Sequence, residues 1–535
     1  MARAWLRAVT PRIRMVVAAS VVLPALISVA PAPAKPGPQA WVLSSMVRAT
    51  PHAAGGSRTT ANLSAAQGET ESFQVVVHAG DSALHGVDVV VGSLAGPHDT
   101  TIPADAATLY REHFVHIGDD EHSPDYSGPV IDRSRFPDAL IPFIDPATGK
   151  PPTSGRYPAA PFDVAAGRTQ PVWVDIAVPR DAEPGAYDGS WTVRSDEGTV
   201  RGSIHLRVYD FALPETPAED SSFGVYKRMD RTRDLLLGYD IQPTPVKPGQ
   251  EEQLRRQGLK SINLGFWSGA TVHDCKMDPP PSVAALRKAV ATHDPALRIY
   301  NYTADEISEC KSLYPEVRKW SWRLHAAGVE QLITMVPEKS LLDDGHGDQA
   351  VDIWPILPIQ FRRDLDPDVL AQVLDGGGEM WSYQALVQGA KTPSWEIDFP
   401  AANFRILPGF LNQRMGVVGN LYWTVDYWPK HPWRDVIYRD SGCCYPGDGF
   451  LVYPGRQAGV VGSVPSLRLA WIRDGIEDYG YVDILRQRGL GGEADKIIDA
   501  AAHSWSDWTQ DRTVIADVRR HLAAAIEASN PEATS

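Results

Sequence analysis

The first part of the chain alternates short apolar runs with turn residues. Runs such as SFQVVVHA, PVWVDIAVP and SIHLRVYDFAL are rich in β-branched and aromatic residues, and Gly, Pro, Asp and Ser bound them. No helical period lies between these runs, so residues 41–212 are predicted to form an antiparallel β-sandwich. The segment 118–161, rich in Pro, Asp and Gly, is predicted to be a long ordered loop that could reach over a neighbouring domain.

The pattern changes after LPETPAEDSS, residues 213–222, whose prolines and acids predict an interdomain linker. Residues 223–463 alternate apolar strand-like runs with segments that carry apolar residues at three- and four-residue spacings. Such continuously apolar strands indicate a parallel sheet buried on both faces, and seven or eight units fit a (β/α)8 barrel of the TIM type. An open doubly wound sheet is the alternative. The predicted strands are FGVY (223–226), SINLGFW (261–267), LRIYNYT (297–303), EQLITMVP (330–337), VDIWPI (351–356), EMWSYQA (379–385) and NLYWTVDYW (420–428).

The last part of the chain, residues 464–529, has a helical pattern. It is predicted to be a helical region packed on the barrel. Its charged stretch RDGIEDY, residues 473–479, has the spacing of intrahelical and docking ion pairs and is interpreted as structural.

A segment of different composition begins the chain. MARAWLRAVTPRIR has four arginines and no acids, and an apolar run and the small residues PAPAK follow it. This order is typical of a secretory signal peptide, so residues 1–34 are predicted to be removed and the protein to be secreted. An uncleaved anchor is the alternative. Because the apolar run is shorter than the ~20 residues that span a membrane and no comparable run follows, the mature chain is predicted to lack a membrane span.

The charge of the chain limits its partners. Loss of the four N-terminal arginines would change the formal net charge from −15 to −19. Nucleic acids and anionic membranes attract basic faces, so neither is an expected partner. A neutral carbohydrate is compatible with this charge.

Four cysteines occur, and export would permit disulfides. Cys275 and Cys310 lie in loops after successive predicted strands and are plausible partners, whereas the adjacent Cys443 and Cys444 could form only a vicinal bridge. No C-x-x-C or H-E-x-x-H spacing occurs, and DDGHGD, residues 343–348, lacks the spacing of a calcium loop. Neither a metal nor a cofactor is expected.

Two adjacent acids, Asp305 and Glu306, follow the run LRIYNYT. Active sites of TIM barrels lie at the carboxyl ends of the strands, which makes this pair a catalytic candidate. Adjacent side chains diverge on a regular strand, but at a bent strand end they can point to two sides of one bound group. The alternative is that Asp305 caps a helix and Glu306 lies in its first turn.

Aromatic residues also gather near the ends of the predicted strands. Aromatic faces pack on the C–H faces of sugars, and a few polar groups among them would bind hydroxyls. Each of these residues has the alternative role of filling a core or capping a helix. The candidate substrate-binding residues are Trp267, Tyr302, Asp352, Trp354, Trp381, Tyr383, Trp423 and Asp426.

Several motifs together resemble a known family. GDGFLVYPG (447–455) followed by VPSLRLAWIRDGIEDYGYVDIL (464–485) is similar to the end of the catalytic domain of glycoside hydrolase family 123-like proteins. The likeness extends through GNLYWTVDYW, EMWSYQA, DIWPI and YTADE. The stretches ETESFQVVV and PGAYDGSWTV look like the β-sandwich that precedes that domain, so the resemblance covers nearly the whole mature chain.

Characterised members of this family are β-N-acetylgalactosaminidases with a β-sandwich and a (β/α)8 barrel. The resemblance therefore implies a glycosidase for a β-linked N-acetylhexosamine, with N-acetylgalactosamine favoured, and the predicted signal peptide makes it a secreted one. It implies a retaining mechanism in which the substrate's 2-acetamido group assists, Asp305 orients that group and Glu306 is the general acid and base. Ile307 stands where the family pattern has proline.

Two alternatives remain open from the sequence. The first is a glycosidase for a sugar without an acetamido group, in which Asp305 or a distant carboxylate such as Asp352 would be the nucleophile or base. The second is a non-catalytic carbohydrate-binding surface protein.

Overall fold

The structure, a computed structural model, describes residues 37–53, 55–126, 135–227, 231–440 and 442–530. The predicted signal peptide lies outside these residues. Gly37–Ser535 form one compact unit. Of the helices that are described, none is long and apolar enough to cross a membrane.

The N-terminal part of the chain forms the predicted β-structure. Its described strands are β1 (Gln39–Ser44), β2 (Thr60–Gln67), β3 (Thr70–His78), β4 (Leu84–Val91), β5 (Leu94–Ala95), β6 (Thr101–Ile102), β7 (Ala107–His116), β8 (Arg135–Pro142), β9 (Phe162–Val164), β10 (Thr169–Ala177), β11 (Gly185–Ser195) and β12 (Gly198–Ala212).

These strands form two sheets that share an apolar core. The first sheet has the order β1-β3-β10-β7-β8, and the second has β2-β12-β11-β4-β9 with β5 and β6 beside β11. Valines of β3 and β10 pack against valines of β4 and Trp191 of β11. Burying each such aliphatic side chain contributes about 1.5–3 kcal/mol.

The sandwich is not purely antiparallel, which corrects the prediction. Strand β2 pairs with β12 in parallel, from Thr60 beside Ser203 to Ala65 beside Val208. The two strands are far apart in the sequence, and only a hairpin connection would have required them to be antiparallel.

The middle strands of the first sheet are buried along almost their whole length, because the sheet is covered on both faces. The second sheet covers one face. A long helix covers the other, where its Arg473 forms an ion pair with Asp175 of β10, Nη1 to Oδ2 at 3.1 Å. Burial on both faces explains why runs such as SFQVVVHA are continuously apolar rather than alternating.

The second part of the chain forms a nearly closed barrel of eight parallel strands. They are β13 (Asp220–Gly224), β14 (Pro243–Thr244), β15 (Ser261–Asn263), β16 (Arg298–Asp305), β17 (Glu330–Thr334), β18 (Ile353–Ile356), β19 (Glu379–Gln384) and β20 (Gly419–Tyr422).

The order around this sheet is β14-β13-β20-β19-β18-β17-β16-β15. Every described pair is parallel, and the last strand, β20, pairs with the first, β13. Only the step from β14 to β15 shows no pairing among the described residues. The arrangement is that of a TIM-like barrel, and the open doubly wound sheet is therefore wrong.

Two details differ from the sequence prediction of the barrel. The pattern did not reveal β14, because two residues are too short to show a period. The predicted linker also overlaps β13, which begins at Asp220, and Glu219 before it is 1% exposed. The junction between the two parts is thus packed rather than free.

Helices connect the barrel strands and form the C-terminal region. They are α1 (Thr232–Leu237), α2 (Glu251–Arg255), α3 (Val283–Val290), α4 (Tyr314–His325), α5 (Pro358–Arg363), α6 (Pro367–Asp375), α7 (Ala401–Ile406), α8 (Asn412–Arg414), α9 (Leu467–Gln487), α10 (Gly491–Ile498) and α11 (Arg512–Ala528), and a π-helical turn, Leu407–Leu411, joins α7 to α8. Three short antiparallel pairs complete the fold: β21 (Ile437–Asp440) with β22 (Cys443–Pro446), β23 (Val452–Pro454) with β24 (Ser463–Pro465), and β25 (Ala502–Ser504) with β26 (Asp507–Trp508).

Helix α9 is buried around its whole circumference. It begins at Ser466, whose side chain accepts a hydrogen bond from Leu469 N. Its charged residues have partners on neighbouring elements, among them Asp478, which binds Arg405 of α7, with 2.6 Å between Oδ2 and Nε. The interpretation of RDGIEDY as a set of structural ion pairs agrees with these contacts.

One fully buried ion pair joins α9 to the sandwich. Arg468 Nε and Nη2 donate to the two carboxylate oxygens of Asp138 on β8, at 2.9 and 3.0 Å, and both side chains are 0% exposed. Tyr453 donates a further hydrogen bond to Asp138, and Arg468 Nη1 donates to Gly447 O. The pair therefore connects three parts of the molecule.

Removal of one member of this pair should be strongly destabilising. Asp138→Ala leaves the Arg468 guanidinium buried without its counter-charge, and we expect the free energy of unfolding to fall by about 3–5 kcal/mol. Urea denaturation followed by tryptophan fluorescence measures the change. The control Asp517→Ala removes an exposed partner of Arg520 and should cost less than about 1 kcal/mol. Equal losses in the two variants would contradict the importance of the buried pair.

Candidate active site

A cavity of about 920 Å³ lies at the carboxyl ends of the barrel strands. Residues at the ends of β13, β15, β16, β19 and β20 form its walls, which is where active sites of TIM barrels lie. Among the predicted site residues, those that line the cavity are Trp267, Tyr302, Asp305, Glu306, Tyr383 and Trp423.

A β-bulge directs Asp305 into this cavity. The register of β16 against β17 shifts between Tyr302 and Ala304. Residues three apart project from opposite faces of a regular strand, and one extra residue brings them to the same side. Accordingly, the Tyr302 hydroxyl donates to Asp305 Oδ1 at 2.7 Å. The strand end is thus bent, which is the condition under which the sequence predicted that the two adjacent acids could face one bound group.

Asp305 is held through one of its two carboxylate oxygens. Thr334 Oγ1, at the end of β17, also donates to Asp305 Oδ1 at 2.7 Å. Asp305 Oδ2 accepts no hydrogen bond from the residues that the structure describes. One oxygen therefore orients the carboxylate, and the other is left for a ligand.

Glu306 follows in a left-handed turn. Its φ is +53°, which is uncommon for a residue other than glycine, and its N–H donates to Thr334 Oγ1 at 2.8 Å. The turn reverses the chain at once after the strand, so that Glu306 lines the same cavity as Asp305. Backbone strain of this kind is often retained at functional sites.

The helix-cap alternative is wrong. The next helical turn begins only at Lys311, with Cys310 as its N-cap, and neither acid accepts a capping hydrogen bond there. Ile307, where the family pattern has proline, is fully buried in the main core. The backbone after the pair is therefore anchored by packing rather than by helix formation.

The environment raises the pKa of the Glu306 carboxyl. Burial is the largest cause and the negative charge of Asp305 is the second, while the hydroxyl of Tyr383 acts in the opposite direction. Burial also raises the pKa values of Tyr302 and Tyr383 well above the usual range, so both hydroxyls stay protonated as donors. The site can thus hold a protonated acid beside an oriented carboxylate.

Disulfides lie beside the cavity. Cys275 and Cys310 are bonded, with 5.3 Å between their Cα atoms, and they tie the loop after β15 to the loop after Glu306. This is the pairing that the sequence made plausible. Cys443 and Cys444 form the vicinal bridge in β22, which pairs with the strand carrying Tyr438 of the cavity wall.

The segment 118–161 is not one long loop as predicted, because it contains strand β8, which pairs with β7 in the first sheet. Its first residues do reach this hairpin. Ser123 N and Oγ donate to the two carboxylate oxygens of Asp398, at 2.8 and 2.7 Å. Glu121 forms an ion pair with Arg439 of β21, 2.7 Å between Oε1 and Nη2. Residues 127–134 of the predicted loop lie outside the described residues.

Asp352 is not in the cavity, and the structure does not support its predicted role. It precedes β18 at the amino end of the barrel. Residues at that end contribute to the stability of the barrel, and catalytic residues lie at the other end. Asp352 Oδ2 accepts hydrogen bonds from His325 Nε2 at 2.8 Å and Gln331 N at 2.6 Å. We assign it a structural role.

Trp354 and Trp381 are also absent from the cavity wall. Trp354 points outward from β18 into the main core and is fully buried. Trp381 points into the barrel but lies one layer below Tyr383, against Tyr300, and its Nε1 donates to Glu379 at 3.0 Å. Both predictions failed because strand alternation and depth, rather than nearness to a strand end, decide which side chains reach the cavity.

Asp426 acts on the cavity indirectly. It is fully buried, and its two oxygens accept hydrogen bonds from Tyr226 N and Lys227 N at 2.7 and 2.9 Å. It therefore positions the loop after β13, whose Tyr226 lines the cavity.

Sequence reasoning missed Asp448, Tyr226 and Tyr438, which also line the cavity. Tyr226 ends the predicted run FGVY and could have been found by the strand-end rule. Asp448 lies between Gly447 and Gly449, which both have positive φ, so the motif Gly-Asp-Gly was an available signal of a tight turn presenting a carboxylate. No comparable signal marks Tyr438.

One group of residues elsewhere could offer metal ligands. Among the described residues, ligand atoms of His325, Asp344 and Asp348 lie within 4.8 Å of one another. They belong to the end of α4 and to the DDGHGD loop, and none of them lines the cavity.

Comparisons with known proteins agree with this architecture. The profile of the glycoside hydrolase 123 catalytic domain matches residues 346–485, and that of the glycoside hydrolase 123 N-terminal domain matches residues 45–195. Together the matches cover more than half of the chain. Asp448 lies within the catalytic match, whereas Asp305 and Glu306 lie between the two matches.

A solved structure shows the same fold. A family 123 glycoside hydrolase from Clostridium perfringens, described for glycolipid glycan hydrolysis, is similar with a TM-score of 0.60 and 15% identity over 92% of this chain and 97% of that one. A β-glucuronidase from Parabacteroides merdae has a TM-score of 0.25 and 9% identity over 74% of this chain and 48% of that one. This second score is too low to support an argument. Comparison with curated protein sequences found no match.

The barrel, its cavity and these matches define an enzyme that hydrolyses glycosidic bonds. The chain belongs to the glycoside hydrolase 123 family. A carbohydrate is accordingly its substrate, and the alternative of a non-catalytic binding protein is set aside.

The raised pKa of Glu306 should affect stability as well as chemistry. A carboxyl with a raised folded-state pKa stabilises the fold at low pH, and this stabilisation is lost as the pH rises through that pKa. We expect Glu306→Gln to raise the melting temperature relative to wild type at pH 7 more than at pH 4. Thermal denaturation at both values tests this. The exposed neighbour variant Glu309→Gln should show no such difference, and an identical response of both variants would refute the assignment.

Proposed function

We propose that this glycosidase cleaves a β-linked N-acetylhexosamine, with N-acetylgalactosamine favoured, by a retaining mechanism assisted by the substrate's 2-acetamido group. Asp305 orients that group, and Glu306 is the general acid and base. The observation that carries the proposal is the placement of both adjacent carboxyls in one cavity, where burial and the charge of Asp305 raise the pKa of Glu306.

The two carboxyls suit the two roles. Asp305 Oδ1 is held by Tyr302 and Thr334, so Oδ2 can accept a hydrogen bond from the acetamido N–H. Glu306 has a raised pKa and can deliver a proton near neutrality. No enzyme nucleophile is required, so the pair need not have the ~5 Å separation across the sugar that ordinary retaining enzymes use.

In the first step, Glu306 protonates the glycosidic oxygen while its bond to C1 breaks. The acetamido carbonyl oxygen of the substrate attacks C1, and Asp305 stabilises the resulting oxazolinium ion through the N–H. In the second step, Glu306 removes a proton from water, which attacks C1 and reopens the ring. The proton taken from water leaves Glu306 protonated for the next cycle, and two inversions at C1 give net retention.

The aromatic walls support a sugar substrate. Trp267 is 48% exposed and meets the Tyr302 ring edge-on, with 6.0 Å between the ring centroids. Trp423 lies on the other side of the cavity beside Tyr226 and Tyr438. Such faces pack against the apolar C–H faces of sugars. The N-terminal composition supports secretion as part of this proposal.

A glycosidase for a sugar without an acetamido group remains the second candidate. It would need another carboxylate across the substrate. Asp352 is too far down the barrel, but Asp448 lines the described cavity. An N-acetylhexosamine thiazoline inhibitor separates the two candidates, because it mimics the oxazolinium ion and should inhibit only the assisted mechanism strongly.

Substitution of either acid should abolish most of the activity. We expect Glu306→Gln to lower kcat on an aryl N-acetyl-β-galactosaminide by about 10²–10⁴-fold, because the proton donor is lost. Asp305→Asn should also lower kcat and should weaken thiazoline inhibition. Steady-state kinetics measure both, with Glu309→Gln as the control. Wild-type rates in both variants would disprove the roles of the pair.

Two substitutions should move the pH profile in opposite directions. The basic limb of kcat/KM reports the pKa of the general acid in the free enzyme. Tyr383→Phe removes the hydroxyl that lowers the pKa of Glu306, so the basic limb should move to higher pH. Asp305→Asn removes the charge that raises this pKa, so in that variant the limb should move to lower pH. Shifts in the same direction would show that Glu306 is not the group being titrated.

A further inference from the structure

The wall of the cavity opposite Asp305 and Glu306 has its own carboxylate. Strand β20 lies four positions from β16 in the eight-stranded order, so the two strands face each other across the barrel. Asp448 is attached to the end of β20, because Gly449 N donates to the Tyr422 hydroxyl at 2.9 Å. A ligand that reaches both walls meets Asp448 on one side and the catalytic pair on the other.

The Gly-Asp-Gly turn holds Asp448 rigidly. A Cβ at Gly449 would lie 2.3 Å from Trp423 Cζ2, and a Cβ at Gly447 would lie 2.7 Å from Arg468 Nη1. Both glycines have positive φ, which disfavours other residues there. Arg468 also donates to Gly447 O at 2.8 Å. The carboxylate is therefore in place before any ligand arrives.

Asp448 and its neighbour Trp423 retain unused hydrogen-bonding capacity. Asp448 Oδ1 accepts from Leu386 N at 3.2 Å, but its buried Oδ2 has no partner among the described residues. Trp423 Nε1 is near this carboxylate but outside hydrogen-bonding geometry, and it too has no described acceptor. A buried polar group without a partner costs about 1–3 kcal/mol. A hydroxyl between the two groups would satisfy both, since it can donate to Asp448 and accept from Trp423.

A second acid lies behind Asp448 rather than in the cavity. Glu396 is 1% exposed and does not line the cavity. Burial first, and the charge of Asp448 second, raise the pKa of Glu396 well above its usual range. Burial also raises the pKa of Asp448, to about 6. Near neutral pH Asp448 is therefore ionised while Glu396 stays protonated, so Asp448 is the charged acceptor that a ligand meets.

We propose that Asp448 and Trp423 form a subsite that binds the hydroxyl on C4 of the reacting sugar and selects its configuration. The inference rests on the proposed function, which places C1 and the 2-acetamido group at Asp305 and Glu306. In a six-membered sugar ring C4 lies across from C1, so the C4 edge points to the opposite wall. The subsite therefore distinguishes an N-acetylgalactosamine from its C4 epimer, N-acetylglucosamine.

The test compares monosaccharide binding by calorimetry in the wild type, Asp448→Ala and Asp448→Asn. Asp435→Asn, an exposed position on the neighbouring loop, is the matched control. In the wild type, loss of the hydroxyl in 4-deoxy-N-acetylgalactosamine should weaken binding by about 10- to 100-fold, as expected for a hydrogen bond to a charged group. In Asp448→Ala the same loss should weaken binding by less than about threefold, and the two C4 epimers should bind almost equally. The control should match the wild type.

Three outcomes would overturn the subsite. One is unchanged discrimination between the C4 epimers in Asp448→Ala. Another is a wild type that binds the 4-deoxy sugar and the parent sugar with equal affinity, or that binds neither sugar. The third is loss of turnover in Asp448→Ala and Asp448→Asn with sugar binding and C4 discrimination intact, which would make Asp448 the nucleophile of the second candidate.

Failure of the proposed function is detected separately. Galactose and 4-deoxygalactose are measured alongside the acetamido sugars. If galactose binds as well as N-acetylgalactosamine and the thiazoline does not inhibit, the acetamido-assisted mechanism is wrong. The C4 comparison in the galactose series then still decides whether Asp448 binds that hydroxyl.

Discussion

The buried ion pair between Arg468 and Asp138 is the interaction on which the rest of the structure depends. Two charges that are 0% exposed are retained only when their geometry and additional hydrogen bonds offset the cost of desolvation. Here the guanidinium binds a sandwich strand and also the carbonyl of Gly447, the residue before Asp448. The Arg468 side chain therefore links the sandwich, helix α9 and one wall of the cavity, all of which belong to the compact unit Gly37–Ser535.

The opposite wall follows from local distortions of a single strand. A bulge in β16 turns Asp305 toward Tyr302, and a left-handed residue turns Glu306 back beside it. Both features interrupt the regular strand. They are stabilised by the hydrogen bonds of Thr334, by the packing of buried Ile307 and by the disulfide at Cys310. Burial, and after it the closeness of Asp305, raises the pKa of Glu306, so the geometry that brings the carboxyls together in the cavity also gives Glu306 its acid chemistry.

Much of the architecture was predictable because burial selects apolar residues, as continuous runs in buried strands and at a helical period in helices. The continuous apolar runs correctly predicted seven barrel strands, and the helical period predicted α9. Features without such a pattern were missed or mistaken. Strand β14 is two residues long, and the parallel pairing of β2 with β12 joins segments that are distant in the chain. A local sequence pattern reveals neither a strand of two residues nor the direction in which two distant strands pair.

The sequence by itself determined the class of fold and the position of Asp305 and Glu306 at the end of a strand. It also gave the chain an acidic net charge, which is compatible with a neutral ligand. Only the tertiary structure decided which aromatic residues reach the cavity: Trp423 does, whereas Trp354 and Trp381 fill cores. It also brought Asp448 to the site from a turn distant in the chain. The physical reason is that periodicity records whether a side chain is buried, while its depth and its partners across the barrel depend on elements that meet only after folding.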